Sequence, residues 1–130
     1  MERKTRQYEA IIDVIANAGR PLLASEIMTL AQNSVPQLSL ATVYRSIKSL
    51  QEDGSIKPVL LPGQNPRYEM FEQPHEHAHH HHFQCRACER VFALDACPGN
   101  LEKIAPNGFT VEAHEIILYG RCKQCTETAL

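Results

Sequence analysis

Two Cys-x-x-Cys pairs, Cys85 with Cys88 and Cys122 with Cys125, are separated by 33 residues of this 130-residue chain. Each pair can direct two sulfurs at one centre, so the four thiolates predict a closed tetrahedral site with no position open to water or substrate. Such a site is structural, and its soft sulfur ligands favour Zn²⁺. The alternatives are free core thiols or a redox motif, but a redox motif needs one such pair near a helix start rather than two matched pairs.

The ligand-forming residues are confined to the second half of the chain, because all seven His and all five Cys lie at or beyond His75. This shift predicts a first domain at residues 1–72, a hinge at 73–78 and a metal-binding domain at 79–130. Residues 1–70 hold 8 basic and 7 acidic residues, and residues 71–130 hold 5 basic and 8 acidic residues, so neither half is a strongly basic arm. Since no apolar run approaches the roughly 20 residues of a spanning helix, we expect a cytoplasmic protein that binds no membrane. We also expect no small-molecule substrate, because so small an α/β layer leaves no room for a substrate pocket.

The first domain is expected to hold three helices followed by a β-hairpin. Apolar residues recur at helical spacing around residues 8–15 and 24–32. A third helix should begin after Ser39, a good N-cap, and end at Asp53 and Gly54. Residues 56–61 and 67–71 then form strand-like runs joined by a turn rich in Pro and Gly. This order is typical of a winged helix-turn-helix.

The third helix has two distinct faces. Leu40, Val43, Ile47 and Leu50 form an apolar stripe that should face the core. The other side carries small, hydroxyl, aromatic and basic groups suited to base edges and phosphates, and it is a candidate DNA-binding surface. Its residues are Ala41, Thr42, Tyr44, Arg45 and Lys48. The alternative is an ordinary solvated helix face.

Four consecutive histidines, His79 to His82, precede Cys85. On a strand, alternate side chains point to opposite faces, so His79 and His81 share one side while His80 and His82 share the other. One strand can therefore serve two metal sites. The alternative is a solvated tract that scavenges metal ions.

Three segments resemble the ferric uptake regulator (Fur) family of metal-dependent repressors: residues 39–45 (SLATVYR), 79–88 (HHHHFQCRAC) and 114–122 (HEIILYGRC). The resemblance implies an α+β protein in which an N-terminal winged helix-turn-helix precedes a small α/β dimerisation domain with the four-cysteine zinc site. It also implies a transcriptional repressor, not an enzyme, that binds a palindromic double-stranded DNA operator as a metal-loaded homodimer.

The resemblance implies a regulatory metal site between the domains, where Glu69, His80 and His82 match the family's ligands. Two further family positions are here Pro21 and Ala93, which cannot ligate a metal. Candidates for a fourth ligand are Asp95, His75 and His77.

A second family site lies within the dimerisation domain, where His79, His81 and His114 match. The family's carboxylate, on the helix that follows, falls near Asn100 and is missing. Cys97 lies three residues earlier and is either the replacement ligand or an inert core thiol.

A thiolate among imidazoles suits Zn²⁺ better than Fe²⁺, whose sites keep more oxygen ligands. We therefore expect a regulator of the zinc-responsive, Zur-like branch, with an iron-responsive or other metal-responsive regulator as the alternative. From other classes, residues 75–82 would serve a metal chaperone, and His79, His81 and His114 could hold a zinc hydrolase's metal.

Overall fold

A computed structural model describes residues 6–71 and 81–128. The chain divides into two compact units, Met1–Gln73 and Pro74–Leu130. The hinge predicted at residues 73–78 lies outside the described residues, as do His75, His77, His79 and His80.

The first unit contains three helices: α1 at Arg6–Ala18, α2 at Ala24–Ala31 and α3 at Leu40–Glu52. The predicted cap of α3 is confirmed, because the Ser39 hydroxyl accepts a hydrogen bond from the Thr42 amide at 3.2 Å. The predicted end is also confirmed, since Gly54 has a φ of 83°, a left-handed conformation that a glycine adopts without a steric penalty.

A three-stranded antiparallel sheet completes the first unit. Its strands are β1 at Leu22–Leu23, β2 at Ile56–Val59 and β3 at Arg67–Met70, in the order β1-β3-β2. The β2–β3 hairpin was predicted, whereas β1 was not, because two residues are too short for an alternating pattern to be recognised. Helices α1 to α3 followed by this hairpin form the expected winged helix.

The three helices and the sheet enclose one hydrophobic core. Val43, Ile47 and Leu50 of α3 are buried in it, as predicted. The prediction for Leu40 was wrong: this side chain is 39% exposed. Leu38, just before the helix, is buried in the core instead, and so is the small Ser46 further along α3.

The second unit is built on a mixed sheet of β4 at His81–Cys85, β5 at Val91–Leu94 and β6 at Ile117–Gly120. Strand β4 is central, antiparallel to β5 and parallel to β6. The helix α4 at Lys123–Thr128 follows β6. No helix in the described ranges is both long enough and apolar enough to span a bilayer.

The segment between β5 and β6 differs from the expectation of a helix after Cys97. Its regular structure is one 3-10 turn at Glu102–Ile104. Gly99 adopts a left-handed φ of 87° and Pro106 has no amide hydrogen to donate, so an α-helix does not continue through either position. The Asn100 side chain accepts a hydrogen bond from the amide of Glu102, the first residue of this turn.

Candidate metal centres and nucleic-acid interface

The two Cys-x-x-Cys pairs meet at one point. Because β4 and β6 are parallel, with Cys85 opposite Gly120, the turn after β4 and the chain after β6 emerge at the same edge of the sheet. The sulfurs of Cys85, Cys88, Cys122 and Cys125 all lie within 4.8 Å of one another. Cys88 Sγ and Cys122 Sγ are 3.8 Å apart, and sulfurs arranged tetrahedrally around zinc at about 2.3 Å are separated by about 3.8 Å.

The turn that carries Cys88 uses a strained residue. Glu89 has a φ of 67°, in the left-handed region that glycine favours. Its backbone is held on both sides: its amide donates to the Cys85 carbonyl at 2.9 Å, and its carbonyl accepts from the Gln84 side chain at 3.2 Å. These two hydrogen bonds hold Glu89 in a backbone conformation that favours glycine.

The backbone around the four sulfurs favours anionic sulfur at one position. The Cys88 amide donates to Cys85 Sγ at 3.4 Å, and this hydrogen bond, followed by one from the Cys122 amide, lowers the pKa of Cys85 to about 6. Hydrogen bonding with the Cys122 thiol raises the pKa of Cys125 to about 12. Four sulfurs this close repel one another as thiolates, and a divalent cation at their centre removes that repulsion.

A second cluster joins three of the four predicted ligands of the second metal site. Cys97 Sγ lies 3.4 Å from His81 Nε2 and 3.2 Å from His114 Nε2, and the two imidazole centroids are 5.0 Å apart. Around a tetrahedral zinc, nitrogen and sulfur ligands are about 3.5 Å apart. The fourth predicted ligand, His79, lies outside the described residues. The distances among the three ligands fit a zinc ion.

One contact of His81 does not suit metal ligation. The Ile116 amide donates to His81 Nδ1 at 3.1 Å, so a neutral imidazole in this position carries its proton on Nε2, facing Cys97. When a metal is bound at Nε2, the imidazole proton is on Nδ1, so two hydrogen-bond donors, Nδ1–H and the Ile116 amide, face each other. Metal loading therefore requires the His81 ring and the Ile116 amide to separate. Sequence patterns gave no indication of this contact.

The predicted regulatory ligands are distributed over both units. Glu69 lies on β3, where its carboxylate is 3.7 Å from Lys57 Nζ on the neighbouring strand. His82 lies on β4 and is half-buried. His80 is outside the described residues, and Asp95 is exposed just beyond β5. The ion pair with Lys57 was missed at the sequence level, although the cross-strand register would have indicated it.

The candidate DNA-binding face of α3 is largely open to solvent. Ala41, Arg45 and Lys48 are exposed, Tyr44 is 53% exposed, and Thr42 is half-buried. This face is opposite the buried stripe, so the helix can enter a groove without disturbing the core.

The family model for the ferric uptake regulator family matches residues 2–119. The chain belongs to the ferric uptake regulator family. The chain is thus a metal-responsive, DNA-binding transcriptional regulator of a family whose members act as dimers and are not enzymes, which excludes the zinc hydrolase alternative.

Individual Fur-family proteins resemble it over most of their length. The peroxide operon regulator of Bacillus subtilis (strain 168) is 27% identical over 129 residues, covering 96% of this chain and 85% of that protein. Among solved structures, a zinc-bound manganese uptake regulator has a TM-score of 0.79 at 24% identity, covering 93% of this chain and 91% of that one. The Helicobacter pylori ferric uptake regulator, with three functional metal binding sites, has a TM-score of 0.70 at 22% identity, covering 97% and 83%.

Proposed function

We propose that this Fur-family chain is a zinc-responsive repressor, acting in the cytoplasm, that binds a palindromic operator as a metal-loaded homodimer. The observation that supports zinc is the position of Cys97 Sγ between the Nε2 atoms of His81 and His114. A thiolate with two imidazoles is a ligand set that Zn²⁺ prefers, whereas Fe²⁺ and Mn²⁺ favour sites with more oxygen ligands.

The metal sites have different roles in this proposal. The four-cysteine centre holds a permanent zinc that stabilises the second unit. His79, His81, Cys97 and His114 form the second metal site, which must also be filled before the chain binds DNA. Glu69, His80 and His82 hold the regulatory ion, and Glu69 gives up its ion pair with Lys57 when it binds that ion. The ion selects a domain arrangement in which the two α3 helices of a dimer match half-sites about 34–36 Å apart.

The switch depends on a difference in affinity. A metal moves the protein between DNA-binding and non-binding states only to the extent that it binds one of them more tightly, and a change from 1:99 to 99:1 requires about 5.5 kcal/mol. In the bound state, Ala41, Thr42, Tyr44, Arg45 and Lys48 of α3 face the major groove. Because residues 1–70 carry a net charge of only +1, 8 minus 7, operator affinity should fall only moderately with salt.

The experiment that tests this function titrates Zn²⁺, Fe²⁺, Mn²⁺ and Ni²⁺ against DNA binding under anaerobic, reducing conditions, with bound metal counted in parallel. The DNA is a duplex selected from a random pool by the zinc-loaded protein. We expect zinc to support binding at the lowest free concentration, and Cys97→Ser to weaken that response about 10- to 100-fold. Cys97→Asp, which supplies an oxygen ligand, should shift the preference toward Fe²⁺ or Mn²⁺.

Two outcomes would overturn the zinc assignment. An equal response to all four metals removes the preference. DNA binding that needs Fe²⁺ and is lost on adding peroxide would place the chain with its relative, the peroxide operon regulator. Binding of many weak ions without any DNA binding would instead indicate a metal chaperone.

A further inference from the structure

The guanidinium of Arg45 is held in place on the exposed face of α3. Arg45 Nη2 donates a hydrogen bond to Thr42 Oγ1 at 3.0 Å. The two residues are three positions apart, so they lie one above the other on the same side of the helix. An exposed arginine is otherwise a long side chain with many accessible rotamers.

The hydroxyl that holds Arg45 is itself fixed by the helix cap. Ser39 Oγ donates to Thr42 Oγ1 at 3.0 Å, and the Thr42 amide donates back to Ser39 Oγ at 3.2 Å. Both acceptor positions of the Thr42 hydroxyl are therefore occupied, one by Ser39 and one by Arg45. The start of the helix, the hydroxyl and the guanidinium form one connected unit.

We propose that Thr42 is a positioning residue whose hydroxyl, anchored by Ser39, orients the Arg45 guanidinium toward a guanine of the operator. This inference rests on the proposed function, in which α3 enters the major groove. A guanidinium reads guanine through two parallel hydrogen bonds to O6 and N7, a geometry that only a correctly oriented fork can make. An arginine already held in that orientation loses less conformational freedom on binding.

The test compares variants of the zinc-loaded full chain by fluorescence anisotropy on the selected duplex and on duplexes with each G·C pair replaced in turn. Thr42→Val keeps the shape of the side chain and removes the hydroxyl; Thr42→Ser keeps the hydroxyl. We expect Thr42→Val to bind about two- to tenfold more weakly and to lose discrimination at one G·C pair. Thr42→Ser should restore both, and Lys48→Ala should weaken binding to all duplexes alike.

A double-mutant cycle separates positioning from direct contact with DNA. In an Arg45→Ala background, Thr42→Val should have no further effect, because there is no guanidinium left to orient. An equal loss in both backgrounds would show that Thr42 acts on DNA directly or through helix stability, and would overturn the inference.

A measurement on the free protein keeps the test independent of the operator. The NMR order parameter of the Arg45 Nε–H bond should fall in Thr42→Val and not in Thr42→Ser. An unchanged order parameter would refute the positioning role. If no duplex is enriched by the wild type, the proposed function fails together with this inference; if duplexes bind but Thr42→Val matches the wild type, only the inference fails.

Discussion

Loss of the zinc held by the four cysteines is expected to unfold the second unit while the first unit stays folded. The variant is Cys122→Ser, because Cys122 is only half-buried and its replacement removes a ligand without opening a cavity in a core. Cys97→Ser is the matched control, since it makes the same chemical change outside the four-cysteine cluster.

The expected loss of stability is large because little besides the zinc stabilises the second unit. Within residues 81–127, only four side chains are buried, His81, Gln84, Cys85 and Val91, and Val91 is the one large aliphatic group among them. The first unit by contrast encloses a continuous core of α1, α2, α3 and the sheet. A structural zinc contributes about 10–16 kcal/mol, as much as the whole stability of a typical domain at about 5–15 kcal/mol.

The assay is a two-dimensional amide NMR spectrum with circular dichroism, before and after chelation and in both variants. In Cys122→Ser, signals from residues 81–127 should collapse to the narrow range of an unfolded chain, while the helical signal of α1 to α3 persists. Cys97→Ser should keep both sets of signals. Dispersed, exchange-protected amides at Phe83 and Leu118 in zinc-free Cys122→Ser would refute the reasoning, because the sheet would then be stable without its metal.

Four other outcomes test separate features of the structure. Glu89→Gly should raise the free energy of unfolding of the zinc-loaded second unit by about 1 kcal/mol, because glycine adopts the left-handed φ of 67° without a clash. The gain should be seen as a higher melting temperature. No gain would mean that the turn is unstrained. Leu50→Ala should lower the free energy of unfolding of the first unit, measured by urea denaturation, by about 2–5 kcal/mol, since Leu50 is fully buried. Leu40 is half-exposed, so Leu40→Ala should lower it by less than about 1 kcal/mol. Equal losses would contradict the assigned core. Burial raises the pKa of Tyr68 above its usual 10, so the first unit should lose stability as the pH rises above about 10. Tyr68→Phe should remove this alkaline destabilisation, which urea denaturation at several pH values would detect. Zinc loading at His81 should move the imidazole proton from Nε2 to Nδ1, a change that nitrogen-15 NMR detects; a proton that stays on Nε2 would show that His81 is not a zinc ligand through this atom.

The first unit was predictable because its elements are long and regular. Ser39, the buried stripe from Val43 to Leu50, and Gly54 mark the limits and orientation of α3 by local rules of capping and periodicity. Leu40 departs from the pattern because burial depends on where the core ends, and the helical repeat alone does not contain that information. Strand β1 exists only because β3 offers it a partner, with Leu22 paired to Tyr68.

In the second unit, the metal ligands could be predicted from the sequence, whereas the path of the chain between the strands could not. The spacing of the four cysteines identified their cluster, since few chemical roles require two matched pairs. The segment between Cys97 and His114 could not be inferred in the same way, because its irregular path follows from Gly99 and Pro106 and from the sheet that it joins.

By itself, the sequence determined which ligands are present, where α3 begins and ends, and that the chain combines a winged helix with a thiolate metal site, because these depend on chemistry and on local spacing. Only the tertiary structure decided that Cys97 lies between His81 and His114, which are 16 and 17 positions away from it in the sequence. It also decided that the Ile116 amide donates a hydrogen bond to His81 Nδ1. Such contacts depend on strand order and register, and sequences with the same local pattern can differ in both.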